Sequence, residues 1–354
     1  MVKTSKKPTI IDLFCGCGGL SFGFEKAGYQ VLLGIDNWEQ SLKTFKANHN
    51  GAETHLGDLS KTTPQEIANQ YKVKNVDVII GGPPCQGFSI SGKRLTEDPR
   101  NFLYKGFVNF VSYFKPKAFL MENVPNLIAM GGGKIKEKIL EDFTSLGYTV
   151  SYKVLLASDY GVPQNRKRVV FIGLLNGKTF EFPKPIFGEN LKSKITANDA
   201  ISDLPEGSVV DGSKYNTNPT SEYQRLMRAE SDGLYNHQTC KHSDQTVKII
   251  SLVPDGGNYK NLPENLRDTR KVNIAWTRLN SAKPSFTIDT GHRHHFHYKY
   301  NRIPTPREAA RIQSFPDSFI FHGTSTGQAK QVGNAVPPLL GEILAKQLSV
   351  FLNQ

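Results

Sequence analysis

The feature that most constrains this chain is an apolar run, Val76-Asp77-Val78-Ile79-Ile80, that stops abruptly at Gly81-Gly82-Pro83-Pro84. Each proline fixes its own φ, and the first also restricts the residue before it, so the run cannot continue as a helix. It predicts a buried strand ending in a rigid turn, and the next residue is Cys85. The C-terminal edge of a strand is where open α/β sheets place their ligands, so Cys85 is a candidate nucleophile. The competing reading is a buried structural cysteine, the usual state of a free thiol.

Strand-like and helix-like segments alternate around this run. Residues 9–14, 31–35, 76–80 and 118–121 read as strands, and 19–27, 39–47 and 104–114 as helices. The alternation predicts an α/β fold: a parallel sheet with crossover helices. Segments 150–156 and 168–174, on either side of a turn at 159–163, read as an antiparallel pair closing that sheet. Beyond about residue 183 the rhythm breaks down, and six of the nine histidines fall between His237 and His297. This predicts a second, irregular, loop-rich domain. Order returns where Thr305 caps a helix with Pro306 at its first position. The last helix, Pro338 to Phe351, is expected to pack back on the first domain.

With 44 Lys and Arg against 32 Asp and Glu in 354 residues, the chain carries a formal charge of +12. That balance favours a polyanionic partner, nucleic acid above all. Four cysteines, with Cys15 and Cys17 one residue apart, do not make a disulfide framework, so a reducing cytoplasm is expected. The basic N-terminus leads into a strand-like run and not a signal sequence, and no stretch reads as long enough to span a bilayer.

Two further regions carry chemistry. Asp12-Leu13-Phe14-Cys15-Gly16-Cys17-Gly18-Gly19-Leu20 joins the first strand to the first helix, where glycines let the backbone approach a ligand. Its spacing differs from the G-x-G-x-x-G of dinucleotide enzymes, which disfavours nicotinamide or flavin. Asp36, about twenty residues on, ends the next strand where a carboxylate can take ribose hydroxyls, and Asp58 ends another. Together they outline a pocket for a nucleoside-bearing cofactor. Glu122, after the strand 118–121, should project at the same edge as Cys85, although it could instead cap the turn before Pro125. Arg166 and Arg168 share one side of an extended segment by their spacing, where they could bind a carboxylate, phosphate or base carbonyl, or form a solvated basic turn.

These stretches, with Gln164-Asn165-Arg166-Lys167-Arg168, Arg307-Glu308-Ala309-Ala310-Arg311-Ile312-Gln313-Ser314-Phe315-Pro316 and Gln331-Val332-Gly333-Asn334-Ala335-Val336-Pro337, resemble the ordered motif series of DNA (cytosine-5) methyltransferases of the prokaryotic restriction-modification type. The resemblance runs from about residue 9 to 346 and lapses across roughly 186 to 290. It implies a Rossmann-like S-adenosylmethionine-dependent methyltransferase domain, residues 1–185 completed by 321–354, with a smaller target-recognition domain at 186–320. By match to the family pattern, Phe14, Gly16, Gly18, Gly19 and Leu20 wrap S-adenosylmethionine, Asp36 takes the ribose, and Asp58 with Leu59 faces the adenine. Pro83, Asn334 and Ala335 complete that pocket. An aromatic residue commonly follows the ribose-binding acid, whereas here Asn37 does and Trp38 comes next, which leaves both open as the adenine contact.

The implied reaction is methyl transfer to C5 of a cytosine flipped out of a specific double-stranded DNA sequence. Cytosine C5 becomes nucleophilic only after a nucleophile adds at C6, the role implied for Cys85. Glu122 would protonate or hydrogen-bond N3, and Arg166 with Arg168 would hold the base carbonyl and adduct. Gln86, Ser89, Arg293, His295, Lys299 and Arg302 are the implied DNA contacts, with His292, His294 and His297 also facing the duplex. A monomer is expected, protecting host DNA from a cognate endonuclease that acts on the same site without a stable complex. An RNA methyltransferase of the same fold and a catalytically silent DNA-binding relative are the alternatives. His237, Cys240 and His242 lack a clear fourth ligand, so no metal is expected.

Overall fold

The structure, a computed structural model, describes residues 7–84, 101–175, 177–267, 276–289 and 295–352. The chain divides into two units. The first comprises 1–156, 167–184 and 340–354, and the second 157–166 and 185–339.

The first unit opens with β1 (Thr9–Leu13), whose five residues are all buried, as a strand covered on both faces must be. It continues through α1 (Gly19–Lys26), β2 (Gln30–Asp36), α2 (Glu39–Asn48), β3 (Glu53–Leu56), α3 (Pro64–Tyr71), β4 (Val78–Gly81), α4 (Asn101–Phe114), β5 (Ala118–Asn123), a 3-10 segment (Pro125–Gly133), α5 (Lys134–Ser145), β6 (Thr149–Leu156) and β7 (Lys167–Leu174). The strands form one sheet in the order β3-β2-β1-β4-β5-β7-β6. From β3 to β5 neighbours are parallel, whereas β7 runs antiparallel to both β5 and β6. The expected alternation and the closing antiparallel pair are therefore both present. Phe107, Phe119 and Phe143 anchor the core on one face, with the rings of Phe119 and Phe143 stacked at 4.0 Å.

The chain runs outward from β1 to β3, then returns to lay β4 on the other side of β1. That reversal opens a crevice at the C-terminal ends of β1 and β4, the usual ligand position in such sheets.

The second unit is built from short elements: α6 (Ala197–Ile201), α7 (Glu222–Arg228), α8 (Asp244–Ser251), α9 (Glu264–Arg267), a two-residue parallel pair of β8 (Thr277–Arg278) with β9 (His295–Phe296), α10 (Pro306–Ile312) and α11 (Ser325–Asn334). Trp276 stacks on Phe296 at 5.8 Å in a small core with Ile249, Ile250 and Leu262. Thr305 caps α10 with a reciprocal Glu308 bond, as its sequence predicts.

The boundaries differ from those drawn on sequence. Residues 157–166 belong with the second unit, and the return to the first comes at Leu340 and not at 321. One expectation about membranes also needs correction, because residues 325–352 have the length and apolarity to cross one. They form two helices, α11 and α12 (Pro338–Leu352), interrupted at Ala335–Pro337, and Leu340, Leu344 and Leu348 are fully buried.

Candidate active site

The loop after β1 folds back through left-handed conformations, with φ of 61° at Phe14, 54° at Gly16 and 93° at Gly18. A phenylalanine holds such a φ only where its surroundings impose it. Here Cys15 N–H donates to the Ile35 carbonyl at 3.0 Å and Gly18 N–H to that of Cys15 at 2.9 Å. A side chain at Gly18 is excluded twice, by its φ and because a Cβ would lie 2.1 Å from His49 Nε2. His49 is itself held by Glu25, Nδ1 to Oε2 at 2.5 Å.

Asp36 closes the same loop. Its Oδ2 accepts from Gly16 N–H at 2.8 Å and its Oδ1 from Trp38 N–H at 2.9 Å. Burial raises its pKa, against the opposing pull of these N–H groups. Its carbonyl accepts from Gly57 N–H, which carries the Asp58 turn alongside. Asp58 Oδ1 accepts from Ser60 N–H at 2.9 Å, and bonds from Ser60 lower the Asp58 pKa. Leu20 and Leu59 are buried beneath, Asn37 is exposed and Trp38 half-buried. Burial raises both loop thiols, Cys17 to about 12, so Cys15 and Cys17 stay protonated and unreactive.

Asp12 is a residue that sequence reasoning passed over, though it heads the glycine motif. It is 1% exposed within β1 and accepts the Ser21 hydroxyl. Burial raises its pKa to about 8. An acid inside an otherwise apolar strand was the available signal.

Gly81 pairs in register with Leu13 on one side and Met121 on the other, so the glycine loop, the Gly82–Pro84 turn and Glu122 emerge side by side. A Cβ at Gly82 would lie 3.0 Å from Glu122 Oε2. Glycine there lets the carboxylate rest on the turn that leads to Cys85. Glu122 Oε1 is paired with Arg168 Nε at 2.7 Å, the two side chains only 12% and 15% exposed. Asn123 donates from Nδ2 to the Pro83 carbonyl at 2.7 Å while its Oδ1 accepts Val124 N–H. Sequence reasoning missed it, although it stands between two residues of a quoted motif. Cys85, Gln86, Ser89, His292, Arg293 and His294 lie outside the described residues.

The two arginines have different partners. Arg166 belongs to the second unit, 2% exposed, and donates from Nη2 to the Gly333 carbonyl at 3.0 Å. Beside it, Gln164 bonds the Gln313 side chain and accepts from Ile288 N–H, and Gln313 donates to the Ala335 carbonyl. Three separate motifs thus meet in one hydrogen-bonded knot. Asn334 there is exposed and Ala335 half-buried.

The motif on α10 is scaffold. All seven of its helical residues are buried. Arg307 donates to the carbonyls of Tyr235, Pro316 and Phe319, and Arg311 reaches Asp317 through two nitrogens and Asp203 through a third.

Two expected DNA contacts are corrected by their burial. Arg302, 7% exposed, forks onto both oxygens of Glu308 at 2.7 Å and has no face left for phosphate. His297, 1% exposed, accepts Lys299 and Tyr300 N–H groups on Nδ1, and burial lowers its pKa to about 4. Lys299 is exposed, and half-buried His295 stacks on Phe286. Both nitrogens of His237 are engaged, with the Pro205 carbonyl and Thr305 Oγ1, and among the described residues no cluster suited to a metal is found.

Comparison with known proteins bears on this geometry. The description "C-5 cytosine-specific DNA methylase" matches residues 8–350. The chain belongs to that family. Type II methyltransferase M1.HphI of Haemophilus parahaemolyticus is 40% identical over 96% of this methylase and 86% of its own length. M.DdeI of Desulfomicrobium norvegicum is 38% identical, over 97% and 88%. Among solved structures, a prophage-encoded E. coli protein assigned as a DNA modification methyltransferase superposes with a TM-score of 0.78 at 28% identity, covering 98% of this chain and 100% of its own. The methylase is a DNA cytosine-5 methyltransferase of the restriction-modification type, on a Rossmann-like fold.

Proposed function

We propose that the methylase modifies one cytosine within a specific duplex sequence, using S-adenosylmethionine, base flipping and covalent attack by Cys85. The observation that carries this reading is Glu122 Oε2 resting over Gly82, three positions before Cys85 in the sequence, with Arg168 on its other oxygen. Glu122 bonds or protonates cytosine N3, which draws electron density from C6 as the Cys85 thiolate adds there. Arg168 orients Glu122 and carries the base carbonyl. Arg166 acts through the knot at Gly333 and not on the base. After C5 takes the methyl group it loses its proton, and elimination across C5–C6 restores the thiolate.

The crevice suits the cofactor. A Cβ at Gly16 would meet nothing within 4 Å, so the loop's inner side is clear, and each Asp36 oxygen keeps a lone pair for a ribose hydroxyl. When bound, the cofactor supplies a methyl group on a sulfonium, already activated for transfer. Half-buried Trp38, its N–H tied to Asp36, suits the adenine face better than exposed Asn37. The second unit reads sequence, and the modification shields host DNA from a cognate endonuclease.

The test is methyl transfer to DNA whose target has been mapped by bisulfite sequencing. Cys85→Ala should abolish transfer while leaving DNA and S-adenosylhomocysteine binding nearly unchanged, and 5-fluorocytosine at the target should trap wild-type protein covalently. Turnover by Cys85→Ala, or no trapped adduct with active enzyme, would overturn the mechanism.

A further inference from the structure

Phe286 is a large apolar side chain held in an unusual setting. Its neighbours Ser285 and Ile288 are 2% and 9% exposed, yet Phe286 itself is 46% exposed. A lone surface aromatic needs no explanation. This one is fixed at every point. Ser285 N–H donates to the Pro163 carbonyl at 2.9 Å, and Asn165 N–H to the Ser285 carbonyl at 2.8 Å. Thr287 Oγ1 donates to the Asn165 carbonyl and Ile288 N–H to Gln164 Oε1. The backbone on both sides of Phe286 is thus bonded to Gln164 and Asn165, the two residues before Arg166. The ring lies parallel to the His295 imidazole, 5.1 Å away at 16°.

We propose that Phe286, backed by His295, is a stacking platform for one nucleobase of the substrate DNA, unstacked from its neighbours when the target cytosine leaves the helix. The proposal rests on the reading of base flipping given above. A half-exposed ring whose flanking backbone is bonded, and which stacks on a second ring, loses little further freedom on receiving a base. Base–aromatic stacking of this kind is tolerant of sequence, because every base has a π-face. The occupant is a base and not an apolar peptide because DNA is the substrate of this family and the chain carries a formal charge of +12. The exposed Lys299 lies four residues beyond His295, within reach of a backbone phosphate.

The test is an abasic scan. Affinity for the mapped duplex is measured for the wild type, Phe286→Ala, Phe286→Leu and Phe286→Trp, with each position of the site and its flanks made abasic in turn. Phe286→Ala and Phe286→Leu should weaken binding roughly 5- to 100-fold. Phe286→Trp should restore it, and the loss should vanish at the one position whose base occupies the platform. S-adenosylhomocysteine affinity and the unfolding midpoint should not move. Leucine serving as well as tryptophan, or no position showing coupling while the wild type methylates normally, would overturn the platform alone. A wild type that methylates without extruding the base, read by 2-aminopurine at the target, would overturn the flipping mechanism and the platform with it.

Discussion

Asp12 carries a carboxyl into the middle of a sheet, and that has a cost that depends on pH. Burial raises its pKa from 3.8 to about 8, so between those values the folded protein keeps a proton that the unfolded chain has lost. Stability from this group is complete below about pH 4 and declines as pH rises through 8. Asp12→Asn, which still offers an oxygen to Ser21, should remove that decline. Urea unfolding should find it more stable than wild type at pH 8.5, by on the order of 1–3 kcal/mol more than at pH 4, where the wild type keeps its full contribution. Parallel curves for the two proteins would mean the proton is not there. Asn123 gives a second expectation. Asn123→Ala leaves the Pro83 carbonyl without its side-chain donor and should loosen the turn that precedes Cys85 in the sequence. Single-turnover methyl transfer should slow about 10- to 100-fold, since small displacements of a reacting group have effects of that size, while cofactor affinity holds within about twofold. The place of Glu122 at the sheet edge was legible in the sequence because the apolar run before it marks a strand that ends beside β4. Asn123 was not, because a side chain that holds a neighbouring strand's turn leaves no trace in its own periodicity.

At the scale of elements, the strands were readable and the second unit was not. β1, β4 and β5 are buried on both faces and therefore read as mainly apolar runs, broken only by Asp12 in β1 and by Glu122 and Asn123 at the end of β5. Their edge could be inferred from the glycines and prolines that stop them. The second unit is held to a larger degree by arginine side chains bonded to carbonyls and carboxylates. Arg278, 4% exposed, donates to the carbonyls of Ile250, His297, Tyr298 and Tyr300 and to Asn301 Oδ1. In a sequence such an arginine looks like a solvated or DNA-facing charge, which is why the motif resemblance places Arg302 among the DNA contacts. On α10, Arg311 compensates two buried aspartates at once. Arg311→Met should therefore cost about 3–5 kcal/mol, because it removes the cation that Asp203 and Asp317 share and leaves Arg228 and the more distant Arg307 to offset two buried carboxylates. Thermal unfolding followed by circular dichroism measures it, and an unchanged midpoint would refute the scaffold role.

For the whole molecule, charge governs how the methylase finds DNA before it reads any sequence. With +12 overall, weak sequence-independent binding should fall steeply with salt through counterion release. Titration of a duplex lacking the mapped site, between 50 and 200 mM salt, should show affinity dropping by about 10³-fold if six or so phosphates are contacted. A flat response would separate the net charge from DNA binding altogether. The prediction is insensitive to Arg302, whose charge is paired with buried Glu308, and to His297, which burial keeps neutral.

The path of the chain has a bearing on inheritance. Residues 157–166 leave the sheet between β6 and β7 and bond to Ser285 and Ile288, more than a hundred positions downstream, before the chain re-enters the sheet. A gene exchange that imported only the long segment after residue 185 would bring in a foreign partner for Gln164 and Asn165. If, as proposed, the second unit reads the target, a new specificity should be acquired by recombination only from donors whose backbone meets that short loop in the same way, or by crossovers that carry both pieces. On that reading the ten residues between β6 and β7 would restrict which relatives can trade the long segment.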